Sequence, residues 1–120
     1  MLHTDSILIS VKKMLGIMSD QKDFDQDIII HINSVFSILS DLGVGPENGF
    51  SITDENATWS SYINDDVVIL EKVKTYMYLK VRLLFDPPQH SYLVESIKSL
   101  TAEYEWRLNV NAENKDKDGV

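Results

Sequence analysis

The stretch from Phe24 to Leu42, FDQDIIIHINSVFSILSDL, decides what kind of fold this chain forms. Phe24, Ile28, Ile32, Val35, Leu39 and Leu42 are separated by four, four, three, four and three residues, so they line one stripe of a helix over 24–42. Asp23, Asp25 and Asp27 stand where a helix N-terminus favours anions, and Gly43 stands where a left-handed C-terminal residue is wanted.

Upstream, Asp5 reads as the cap of a first helix over 5–15, with Ile7, Leu8, Val11, Met14 and Leu15 on one face and Gly16 ending it. Downstream, the chain changes character: Gly43 to Asn56 is dense in turn formers, and Asn48-Gly49 supplies positive φ. Phe50 and Ile52 alternate with polar neighbours, which predicts a short extended piece or hairpin remnant, followed by a helical turn within Ala57 to Ile63. Asp65 and Asp66 cap a long helix over 67–85, which Asp86-Pro87-Pro88 stops because proline restricts the residue before it and lacks an amide donor. That helix carries Leu70, Val73, Tyr76, Met77, Leu79, Val81, Leu83 and Leu84, apolar over more than one face, so it belongs in the middle of a bundle or between subunits. Pro88 or Ser91 opens a last helix over 91–110 with the stripe Leu93, Ile97, Leu100, Tyr104 and Leu108. No segment alternates with period two. The expected fold is therefore all-α, a small bundle of four to five helices with an irregular segment at 43–63. Residues 1–110 form one domain, and 111–120, polar and without apolar period, form a flexible tail.

A chain of 120 residues leaves room for one core, and 43% apolar with 25% charged residues is ordinary for a globular domain. Cysteine is absent, which excludes disulfide frameworks, thiolate metal sites and cysteine nucleophiles. Eleven basic against nineteen acidic side chains give a formal charge of -8, the wrong sign for wrapping nucleic acid. The longest apolar run, Ile28 to Ile30 with Ile32 beside it, falls far short of the roughly 20 residues that span a bilayer. Lys12 and Lys13 make the first helix too polar for a secretory segment, so the expectation is a soluble protein made in the cytoplasm, without a membrane partner.

Chemistry is sparse. Asp23, Asp25 and Asp27 have the spacing that opens a calcium loop, but Ile28 stands where that loop needs glycine and Ser34 where it needs glutamate, so helix-terminal anions explain them better. His31 has Asp27 one turn back and no second metal ligand nearby in sequence, since His3 and His90 are distant. Gly43, Gly45 and Gly49 lack the Gly-Lys-Ser/Thr ending of a phosphate loop, and no nucleophile elbow singles out a serine. The expectation is no catalytic residue, no metal and no cofactor. Two apolar residues face the wrong way for a core. Trp106 lies two residues from both Tyr104 and Leu108, about 160° from their stripe, and Ile30 lies likewise between Ile28 and Ile32. With the over-apolar fourth helix, they predict self-association.

The order of segments resembles the head-tail connector (adaptor) proteins of long-tailed bacteriophages and prophages. The resemblance is carried by Lys12-Lys-Met-Leu-Gly-Ile17, Asp25-Gln-Asp-Ile-Ile-Ile-His-Ile-Asn33, Leu42-Gly-Val-Gly-Pro46, the run Lys74 to Pro88 ending Phe-Asp-Pro-Pro, and Glu105-Trp-Arg-Leu-Asn109, and it covers almost the whole chain. It implies a structural virion protein at the head-tail interface, one subunit of a ring of roughly a dozen copies; a ring contact is heterologous and needs two different patches. The implied partners are other copies, the portal protein and a stopper or tail-completion protein, with DNA passing through the ring without specific binding. Ile30, Trp106, Asn111 and Glu113 are the candidate assembly contacts. An alternative reading, an acidic DNA mimic that blocks a nucleic-acid-binding protein, requires carboxylates in rows on one face, which the sequence does not display.

Overall fold

A computed structural model describes residues 5–118. Five helices follow one another: α1 (Ile7–Met14), α2 (Asp25–Asp41), α3 (Trp59–Tyr62), α4 (Val67–Phe85) and α5 (Ser91–Asp118). No strand occurs among the described residues; a single antiparallel bridge joins Ser6 to Thr58. The all-α expectation holds.

The long helix α4 is the axis of the bundle. It packs against α2, α5 and α1, and buries Leu70, Val73, Tyr76, Met77 and Val81. Asp66 caps it by accepting a hydrogen bond from the Ile69 amide at 3.1 Å, and its boundaries are those read from the sequence. Helix α2 contributes Ile28, Ile32, Val35 and Leu39 from the expected stripe, and adds Ile29 and Phe36. Its N-terminal end, including Phe24, lies beside Phe85 at the end of α4, ring centroids 5.5 Å apart, so the two helices run antiparallel. Deleting side chain beyond Cβ at Ile32 or Leu39, both without accessible surface, costs about 2–5 kcal/mol in cores of this kind.

Both α1 and α2 end in the same way. Gly43, at φ +87°, donates to the Ser40 carbonyl while Val44 donates to that of Leu39, and Gly16 and Ile17 repeat the pattern on Lys13 and Lys12. Gly43 has a second use: a Cβ there would meet the Ala112 Cβ at 3.1 Å, so the missing side chain lets α5 close on the end of α2.

Several expectations need correction. Ser6, not Asp5, caps α1, its hydroxyl accepting from the Ile9 amide at 3.2 Å, and Met14 points outward. Lys12 is buried instead: its ammonium donates to the carbonyls of Gln21 at 2.7 Å and Ser19 at 3.3 Å and pairs with Asp25 at 2.8 Å. The carbonyls of the loop after α1 thus close over a charge carried by α1 itself, and Asp25 serves this ion pair. Phe50 and Ile52 form no hairpin among the described residues. Asn33 takes the place of a neighbouring strand, its amide donating to the Ile52 carbonyl at 2.9 Å and its Oδ1 accepting from the Ile52 amide at 2.8 Å. Finally, α5 does not stop at Val110 but continues through Asp118, so residues 111–118 are helical where a tail without structure was expected. Its buried side is rotated from the expected stripe: Thr101 and Leu108 are buried and Val94 and Ile97 half-buried, while Leu93 and Leu100 are exposed.

Candidate assembly interface

The structure places Ile30 and Trp106 on the surface, 60% and 67% exposed, as their spacing predicted. They do not converge. Ile30 lies on the outer side of α2 between exposed Asp27 and Ser34, whereas Trp106 lies on the outer side of α5. Both helices pack on α4, and α5 reaches the end of α2 where the Asn109 amide donates to the Leu42 carbonyl at 3.3 Å and Ala112 meets Gly43. One subunit therefore presents exposed apolar side chains on two separate helices.

Helix α5 is fixed to α4 by a polar network as well as by packing. The Tyr76 hydroxyl donates to Glu105 Oε2 at 2.6 Å, and Lys80 approaches the same oxygen at 3.4 Å. Burial first, and then this carboxylate, push the Tyr76 phenol far above its ordinary range; burial alone does the same for Tyr62. These groups hold α5 in place, so its outer side is set relative to the bundle. That side carries more apolar surface than the sequence reading singled out: Tyr92 is 78% exposed, with Leu93, Leu100 and Trp106 along the same helix. Tyr92 was missed because its position next to Pro87-Pro88 reads as a helix end, although it is seven residues before Ser99 and fourteen before Trp106, the spacing of one helix face.

Asn111 and Glu113 continue α5 beyond Trp106. Asn111 is half-buried and lines a groove of about 770 Å³ between the start of α4, the end of α5 and the loop Gly43–Pro46; Glu113 is exposed. Lys72 and Lys115 stand in the same groove with Asp65 and Asp66, so it is polar at its rim and apolar at Val68, Ile69 and Leu108. His31 packs edge-on against Phe85 at 6.3 Å. Among the described residues no group of three or more His, Asp or Glu side chains is placed to hold a metal, and no helix is long and apolar enough to cross a membrane.

The family model of the phage connector protein matches residues 7–115, all but the ends of the chain. The chain belongs to this family. The likeness read from Lys74 to Pro88 and from Glu105 to Asn109 is thereby borne out, and the connector is a structural phage component whose work is contact with other head or tail proteins. No curated protein and no solved structure matches the connector.

Proposed function

We propose that the protein is a head-tail connector subunit that assembles into a ring of roughly a dozen copies beneath the portal, extends the DNA channel and docks the next tail component. The observation that carries this reading is the pair of exposed apolar side chains on separate helices, Ile30 on α2 and Trp106 on α5, both helices packing against α4. A closed ring joins unlike patches head to tail, and a subunit with one such patch cannot supply it. Trp is the residue most often found as an interface anchor, and Asn111 and Glu113 at the far end of α5 are the contacts assigned to the portal or the stopper. The charge of -8 per copy surrounds passing DNA with like charge and discourages sticking during packaging and ejection.

The test is head completion. Ile30→Asp and Trp106→Ala, each checked for unchanged helical circular dichroism, are supplied to portal-bearing heads lacking the connector, and infectious particles are counted. Loss of joining by both variants is expected. Completion at the normal rate by both overturns the assignment of these faces.

A further inference from the structure

The outer side of α5 carries a projection and a recess along one line. Tyr92, Ser96, Ser99, Glu103 and Trp106 recur at intervals of four, three, four and three residues and so lie in a row on the helix surface. Tyr92 and Trp106 stand out at the ends of the row, while Ser96 and Ser99 form the floor of a shallow depression of about 530 Å³ walled by Tyr92, Glu95, Leu100 and Glu103. Trp106 cannot fill this depression itself, because it lies seven residues past Ser99, about 10 Å further along the same rigid helix. An indole from another helix can.

We infer that the outer row of α5 is a two-fold contact with a second copy of this chain, the two α5 helices lying antiparallel with Trp106 of each seated in the Ser96–Ser99 depression of the other. The sequence satisfies the two-fold condition that if residue i meets residue j, then j meets i. The register that brings Trp106 level with Ser96 also brings Glu103 level with Ser99, whose hydroxyl can donate to the carboxylate, and Tyr92 level with Val110. The two-fold axis then passes level with Thr101, and Leu100 lies beside Ala102 of the other copy. Charge fits as well as shape: Glu103 faces the uncharged Ser99, and Glu95 stands level with Arg107 of the other copy, while within each helix Arg107 and Lys98 are held by Glu103 and Glu95. No two like charges oppose each other, so nothing in the row drives the copies apart. The contact needs no movement of the bundle, because α5 packs on α4 with its opposite side.

A two-fold contact is complete at two copies and does not propagate. Resting on the proposed ring, it follows that pairing covers Trp106 in the free protein and withholds that face from ring growth until another partner displaces the second copy.

The test uses the isolated full chain. Sedimentation equilibrium and light scattering over a range of concentrations are expected to show a monomer–dimer equilibrium with no larger species. Trp106→Ala and Ser96→Arg, the first removing the projection and the second filling the recess, should each weaken the dimer at least about tenfold. The two variants act on opposite halves of the contact, so if one fails to fold the other still decides. Because the chain has no cysteine, Ser99→Cys introduces a single thiol close to the two-fold axis, and a short thiol–thiol cross-linker should capture a covalent dimer. Asn48→Cys, in a loop on another part of the surface, should give none. A chain that stays monomeric at every concentration, open-ended association, a dimer indifferent to both substitutions, or a dimer that Ser99→Cys does not cross-link would each overturn the inference. None of these results depends on whether portal-bearing heads are completed, so the two readings fail separately.

Discussion

Replacing Lys12 with methionine keeps most of the buried stem and removes only the charge, which makes it the sharpest probe of how the first quarter of the chain is held. Lys12 is 1% exposed, and its ammonium is the common partner of the Gln21 carbonyl at 2.7 Å, the Ser19 carbonyl at 3.3 Å and the Asp25 carboxylate at 2.8 Å. In Lys12→Met both carbonyls lose their charged donor, and Asp25, only 17% exposed, keeps a charge with no counter-ion. Removing one member of a buried pair costs about 3–5 kcal/mol, and the lower part of that range applies here because Asp25 retains some access to water. A total stability of roughly 6–18 kcal/mol for a chain of this length makes such a loss a large fraction of the whole. Asp25→Asn should cost less, about 1–2 kcal/mol, since the ammonium keeps both carbonyls and gains an amide oxygen. In the double variant the losses should fall short of their sum, because the second substitution no longer strands a charge. Urea unfolding monitored by circular dichroism measures all four states, with an unchanged denaturant slope as the sign that the comparison is fair. A buried pair is little screened, so the Lys12→Met loss should persist in strong salt. A cost under about 1 kcal/mol for Lys12→Met, or strict additivity in the cycle, would refute the view that this one ammonium fastens the loop to α1.

Asn33→Ala deletes both side-chain hydrogen bonds that stand in for a strand partner of Ile52, and should destabilise the protein by about 1–3 kcal/mol while loosening the segment around Phe50, as read by urea unfolding and by hydrogen exchange at Ile52. Alkaline titration should unfold the chain cooperatively. Tyr62 and Tyr76 have phenols raised above their ordinary value in the folded state, so their contribution is fully present below about pH 10 and is lost as pH rises beyond it, where only the unfolded chain gives up these protons. Tyrosinate absorbance and helical circular dichroism should then change together for these two residues, and ionisation of all five tyrosines with the helices intact would contradict the structure.

The elements that sequence revealed are those whose apolar spacing is regular and whose ends are chemically marked. Helix α4 has Asp66 at one end and Asp86-Pro87-Pro88 at the other, and α2 keeps its stripe from Ile28 to Leu39; both were legible to within a residue or two. Lys12 was not, because a lysine pattern reads as solvent-facing, and its burial depends on carbonyls that only the folded loop brings near. The rotation of α5 escaped for a related reason. Leu93 and Leu100 are seven residues apart, as core residues on one face would be, and nothing local says that half-buried Val94 and buried Thr101, one position on, face α4 instead. The continuation past Val110 has the polar composition of a tail, and it is the close approach of Ala112 to Gly43 that shows where the helix gains support. Of the candidate contacts, Trp106 and Ile30 were readable as outward-facing from spacing alone, whereas the recess at Ser96 and Ser99 has no signature in sequence, since two serines on a helix are ordinary.

The ties between the two ends of the first half of the chain set an order of events in folding. Helices α4 and α5 are joined by five residues and α1 and α2 by ten, so bringing each of these pairs together closes only a short stretch of chain. By contrast Ile7 donates to the Ala57 carbonyl at 3.0 Å, Trp59 to that of Asp5 at 3.2 Å, and the Trp59 indole to the Ser10 hydroxyl at 2.9 Å across 49 residues. Closing a loop of that length costs about 3.5 kcal/mol of chain entropy, which no single one of these hydrogen bonds offsets. Joining α1 to the Ala57–Trp59 segment is therefore favourable only once Trp59 and Tyr62 have packed on Phe36. The contacts of α1 with the 57–59 segment are in this way the last to form, and the same contacts should be the first to open when the folded protein is destabilised.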